Sequence, residues 1–132
     1  MTREFIHRIL TKLNDAKIEY VVTGSVSKFL RGISVATMDL DIVVETTLEN
    51  LNKIDHLSTT TKEGDISEKL KNGQIIRVIE FPFRYDLLPR LDGLTNREIF
   101  LNKAEVEFRN LMIPIISESD LAKNYQSFKN NE

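Results

Sequence analysis

The sequence predicts an α/β (α+β) fold, a single domain over residues 1–132 in which a mixed β-sheet is flanked by helices. Three observations predict it. Stretches with apolar residues at helical spacing alternate with short runs of β-formers along the chain. One run, Met38-Asp39-Leu40-Asp41-Ile42-Val43-Val44, holds two carboxylates one residue apart inside an otherwise apolar strand. Another, Val21-Val22-Thr23, passes straight into Gly24-Ser25 and a short helical stretch, the pattern of a strand, a tight turn and a helix.

The elements follow in order. Residues 2–16 form a helix: Phe5, Ile6, Ile9, Leu10 and Leu13 share one face, and Thr2 caps it. Ile18 to Thr23 is the first strand. Ser25 is the N-cap of a short helix over 25–31, and Gly32 is its C-cap. Residues 33–37 make a loop, and Asp39 to Glu45 is the second strand. Thr47 opens a helix to about Leu57, with Leu48, Leu51 and Ile54 on one face. Residues 58–65 are a polar loop, 66–71 a short helix, and Asn72-Gly73 a turn. Gln74 to Phe81 is a strand that Pro82 ends, because proline cannot donate to a ladder. Phe81 and Phe83, on either side of it, are expected in packing. Arg84 to Leu88 is the next strand, and Thr95 to Lys103 a helix. Strands at 105–109 and 112–116 are joined by a turn. Ser117 opens the last helix with Asp120 completing a capping box, and a polar tail from Lys129 frays.

Composition excludes several classes of function. Lys and Arg total 18 against 20 Asp and Glu, a formal charge of −2, so a strongly basic nucleic-acid surface is not indicated. The chain has no cysteine, which removes disulfides and thiolate metal sites. No apolar run approaches the roughly 20 residues of a membrane span. The start, Met-Thr-Arg-Glu-Phe-Ile-His, lacks a signal-peptide core, so the expected compartment is the cytoplasm.

The chemistry concentrates around the acids. Successive strand side chains point to opposite faces, so Asp39 and Asp41 share one face and Leu40, Ile42 and Val44 the other. Two neighbouring carboxylates repel and need a cation, a proton or a basic partner, for which Arg77 and Arg84 are available. Oxygen-only ligation suits magnesium or manganese. A lone Asp-x-Asp is more often a solvated strand face. The preceding Gly24-Ser25 turn makes it a candidate site, because free backbone N–H groups there suit a phosphate. A third acid, Asp86, sits among apolar residues in Arg84-Tyr85-Asp86-Leu87-Leu88.

Gly24-Ser25, the helix to Gly32, Thr37-Met38-Asp39-Leu40-Asp41 and Tyr85-Asp86-Leu87-Leu88 together resemble the nucleotidyltransferase fold of the DNA polymerase β superfamily. The nearest pattern is the small nucleotidyltransferase branch that includes abortive-infection type IV toxins, and the resemblance spans roughly residues 5–125. It implies an enzyme that is ATP-binding or uses another nucleoside triphosphate. Asp39 and Asp41 would hold two Mg2+ (or Mn2+) ions about 3.5–4 Å apart, with Asp86 ligating the one near the attacking hydroxyl. Asp86 would help deprotonate an acceptor hydroxyl. Gly24 and Ser25 would cradle the β- and γ-phosphates. Attack on the α-phosphorus would transfer a nucleoside monophosphate to an RNA, a protein or a small molecule and release pyrophosphate. It also implies a toxin–antitoxin setting, with a helical HEPN-type partner or a homodimer, and the Leu111–Ile116 run is the contact region if part of it is exposed.

The pattern departs from the family at Val35, where an arginine is usual. Lys28, assigned to nucleotide binding, is the candidate replacement cation, with Arg31 and Arg84 beside it. Tyr125 takes the place of a lysine one turn into the final helix. The alternative function is a catalytically degenerate module of the same fold that binds nucleotide or a partner.

Overall fold

The computed structural model describes residues 1–36, 39–57 and 66–130. Thr37 and Met38 of the acid motif, and the loop expected over 58–65, lie outside the described residues.

Helix α1 (Arg3–Asp15) is capped as its sequence demands: Thr2 Oγ1 accepts the Phe5 N–H at 3.1 Å. Its end explains why the next strand starts late. Lys17 turns left-handed, with φ 56°, and the Ile18 N–H donates back to the Leu13 carbonyl. Ile18 thus closes the helix, and β1 (Tyr20–Thr23) begins two residues beyond the expected start. Helix α2 (Gly24–Leu30) follows without a spacer, and β2 (Leu40–Val44) returns antiparallel to β1. Helices α3 (Leu48–Leu57) and α4 (Ile66–Lys71) come next. The Gln74 N–H donates to the Lys69 carbonyl past Gly73 at φ 83°, so β3 (Ile76–Glu80) also starts later than expected.

Strand β4 (Phe83–Leu88) pairs antiparallel with β3 through the Phe81-Pro82 turn, whose peptide bond is cis. The two phenylalanines part company there. Phe83 packs edge-on against Phe5, 5.2 Å between ring centres, whereas Phe81 is 91% exposed rather than packed. Helix α5 (Asn96–Asn102) opens with a Thr95/Glu98 capping box. Strands β5 (Ala104–Phe108) and β6 (Leu111–Ile115) are joined by Arg109 and Asn110, both at positive φ, as a two-residue hairpin requires. Helix α6 (Glu118–Asn130) begins where the Asp120 N–H donates to Ser117 Oγ at 3.0 Å, and it continues past the expected fraying point at Lys129. The buried Asp120 carboxylate takes the Asn102 amide at 3.3 Å.

The strands form one mixed sheet in the order β3-β4-β2-β1-β6-β5. Strand β1 is parallel to β6 and β2 is parallel to β4. Alternation divides the core in two. Tyr20, Val22, Leu40, Ile42 and Val44 face the larger cluster with α1, α3 and α4. Val21 and Val43 face a smaller cluster with Ile99 of α5 and Leu121 of α6. The run Leu111–Ile116 is β6 and its exit: Ile113, Ile115 and Ile116 are fully buried in the core, while Met112 is 54% exposed, so part of the expected contact region lies at the surface. Among the described residues, no helix is long and apolar enough to cross a membrane.

Candidate functional site

The register of four adjacent strands builds the site. Thr23 of β1 stands opposite Asp41 of β2, Asp41 opposite Asp86 of β4, and Asp86 opposite Arg77 of β3. Opposed residues share a sheet face, so these four side chains make one row. It lies on the face of Val21 and Val43, where the smaller core leaves part of the sheet open. The two expected strands therefore bring Asp41 and Asp86 side by side.

Asp39 is held differently from expectation. The strand ladder begins at Leu40, so Asp39 stands just ahead of it. Its backbone N–H donates to Ser25 Oγ at 3.1 Å. Ser25 is therefore not the N-cap of α2: the helix starts at Gly24, Thr23 holds the cap position, and the Ser25 hydroxyl ties the Gly-Ser turn to the first acid. Gly24 is needed there on two counts. Its φ is +66°, and a Cβ at this position would lie 3.1 Å from Asp41 Oδ2.

Two clefts meet at the acids. One, of about 250 Å3, is lined by Asp39, Asp41, Asp86, Tyr85, Arg77 and Arg84. The other, of about 330 Å3, is lined by Gly24 and Ser25, by Leu88 and Leu91, and by Asn124, Tyr125 and Phe128 of α6, and it too includes Asp39 and Asp41. The second cleft thus joins a glycine-serine turn and two carboxylates to an apolar, aromatic slot.

The cations fall in different places. Arg77 Nε donates to Asp86 Oδ1 at 3.2 Å, which makes it the basic partner of the row. Arg84 lines the Asp86 cleft. Lys28 lines neither cleft, but its ammonium lies 4.6 Å from the ring centre of Tyr125, which walls the second one. Arg31 is remote in role: its Nη2 donates to the Ile116 carbonyl at 2.7 Å and joins α2 to the start of α6. Val35 lines a separate cleft with Arg3 and Phe29.

The Asp41 carboxyl is pushed up to about 6 by its burial, then by the neighbouring charges of Asp86 and Asp39, with Arg77 pulling the other way. A hard divalent cation would relieve that repulsion, and the carboxylates of Asp39, Asp41 and Asp86, which line one cleft, are oxygen donors of the kind it takes. Oxygen-only donors of this kind are the ones that suit magnesium or manganese. Asp86 shares its carboxylate with Arg77. Among the described residues, no three His, Cys, Asp or Glu side chains are already drawn together as a metal-binding group.

Sequence reasoning did not assign a site role to Thr23, Leu91, Asn124 or Phe128. The last two come from α6, far along the chain from Asp39, Asp41 and Asp86, and no local spacing announces them. Their only signal was weak: Tyr125 and Phe128 fall three apart on a helix and so share a face.

No protein-family model matches the chain, and no curated protein matches it. Among solved structures, the chain is similar to a protein of Thermotoga maritima that is named, provisionally, as a nucleotidyltransferase. The TM-score is 0.63 at 22% identity, and the match covers 99% of this chain and 87% of the other. The likeness shows that the six-stranded mixed sheet with its flanking helices is a nucleotidyltransferase-like fold.

Proposed function

We propose that this chain is a metal-dependent nucleotidyltransferase. The observation that carries it is the in-register row of Asp41 and Asp86, with Asp39 beside them and the Gly24-Ser25 turn against Asp41. The fold of the Thermotoga maritima neighbour and its provisional name support the same reaction class.

A nucleoside triphosphate fits the second cleft, with its phosphates at Gly24-Ser25 and its base in the slot of Leu88, Leu91, Tyr125 and Phe128. Apolar and aromatic side chains around a few convergent polar groups are the usual make-up of such a site. Lys28 acts from the rim through Tyr125. The acceptor hydroxyl then enters the first cleft, beside Asp86. Its oxygen bonds to the α-phosphorus, the bond from that phosphorus to the β-phosphate oxygen breaks, and pyrophosphate leaves. Asp86 is placed to accept the hydroxyl proton. Asp39, Asp41 and Asp86 would hold magnesium or manganese, which when bound supplies charge compensation and an activated hydroxyl. The protein contributes position and electrostatics more than covalent chemistry.

The acceptor is an RNA, a protein or a small molecule. A helical HEPN-type partner, or a second copy of the chain, is proposed to help present it. Light scattering beside an activity assay tests this: a strict monomer that works at full rate on a simple acceptor would refute it.

One observation favours a second reading. Asp86 is tied to Arg77, and no metal-binding group is preformed among the described residues. A module that binds nucleotide without transferring it would look the same. Pyrophosphate release separates the two. The purified chain is incubated with each α-labelled nucleoside triphosphate, magnesium or manganese, and cell extract as acceptor source. Label transfer with pyrophosphate release that Asp41→Asn and Asp86→Asn abolish supports the enzyme. Binding without pyrophosphate supports the module.

A further inference from the structure

We infer that Thr23 is a ligand-binding residue of this site, its hydroxyl donating a hydrogen bond to the anionic ligand received by the Gly24-Ser25 turn. The inference rests on the nucleotide reading above and adds a residue that motif spacing gives no reason to choose.

Thr23 is the last residue of β1, where Tyr20, Val21 and Val22 are all buried apolar side chains. It is itself 3% exposed, and its Oγ1 has no hydrogen-bond partner. The usual local outlet is not used: Thr23 stands at the N-cap of α2, yet its side chain caps nothing. A valine would fill the same volume without a polar atom to satisfy. An unpaired buried hydroxyl is costly to a fold, so its presence calls for a partner that the free chain does not supply. Its position says where that partner comes from. Thr23 is the cross-strand neighbour of Asp41 and lines the cleft that Gly24, Ser25, Asp39 and Asp41 also line. Carboxylates already fill that wall with acceptors. The Thr23 hydroxyl adds a donor beside them, next to those that Ser25, Asn124 and Tyr125 bring to the same cleft, and a phosphate oxygen is the acceptor that a ligand brings. Rotation about a single torsion, between the two rotamers threonine uses, is enough to redirect it.

The experiment compares wild type, Thr23→Val and Thr23→Ser. Each is melted without ligand, then titrated with magnesium plus each nucleoside triphosphate and with magnesium plus inorganic tripolyphosphate. Thr23→Val is expected to melt at or above the wild-type temperature without ligand, because the orphan hydroxyl is gone. Its affinity for nucleotide and for tripolyphosphate should fall about tenfold, the loss of one hydrogen bond to a charged group. Thr23→Ser should keep wild-type affinity. Wild-type affinity in Thr23→Val overturns the inference. So does a ligand-free melting temperature several degrees lower, which would mean that the hydroxyl is already partnered in the free protein. If wild type itself binds neither nucleotide nor tripolyphosphate, the nucleotide reading fails first and takes this inference with it.

Discussion

Asp41 is the residue on which the site's electrostatics converge. Its carboxyl, raised from 3.8 to about 6 by burial and by two like charges, is a destabilising group once ionised. A raised acid favours folding while protonated, and that contribution is lost as pH rises from about 4 through 6. The ligand-free protein should therefore lose melting temperature across that window, and Asp41→Asn should flatten the loss. At pH 7.5 without metal, Asp41→Asn should melt above wild type, while at pH 4 the two should coincide. A variant that melts lower at pH 7.5 would make Asp41 a structural partner of Arg77 instead. Magnesium should raise the wild type and leave the variant unmoved. Gly24→Ala makes the complementary test. Its φ of +66° costs an alanine about 1–2 kcal/mol, and the new Cβ presses on Asp41 Oδ2. Stability and metal-dependent nucleotide binding should both drop; unchanged binding would separate the turn from the acids.

At the scale of elements, most of the fold was legible because periodicity and caps are local. The five buried positions of α1, the Gly-Ser junction of β1 and α2, and the acid-bearing strands all follow from spacing of two or three to four residues. Boundaries failed where a backbone N–H was claimed twice. Ile18 and Gln74 read as strand starters, but each N–H closes the preceding helix. Asp39 read as strand, but its N–H goes to Ser25. Strand register was not legible, even across the β3–β4 turn, which is why Arg77 could be named only as one of two basic partners for the acids. Register decides it: Arg77 faces Asp86 across β3 and β4, while Arg84 sits two residues along. Arg77→Gln should accordingly raise the Asp41 titration further, since Arg77 is the one group lowering it. Carboxyl chemical shifts followed against pH would show this, and an unmoved midpoint would remove Arg77 from the cluster. The Thr95/Glu98 box is a plainer case: Thr95→Ala should cost about 1 kcal/mol in denaturant unfolding without touching ligand affinity.

At the scale of the molecule, the two faces of the sheet are unequal, and the site uses the difference. The larger core is covered by α1, α3 and α4, with Val26 of α2 packed into it as well. The smaller one is held on α6 by Leu121, and beyond it Tyr125 and Phe128 remain partly exposed over the second cleft. Segments with few buried apolar contacts open most readily. The second half of α6, from Tyr125, should therefore exchange its amides early in the free protein, well before β1 and β2. A nucleotide seated between Gly24-Ser25 and Tyr125 adds contacts to that half and to nothing in α1. Hydrogen exchange with and without magnesium and nucleoside triphosphate should slow the α6 peptide selectively while α1 stays unchanged. Protection confined to peptides of β3 and β4 would instead put the ligand in the Asp86 cleft and reverse the roles assigned to the two sides of the acids.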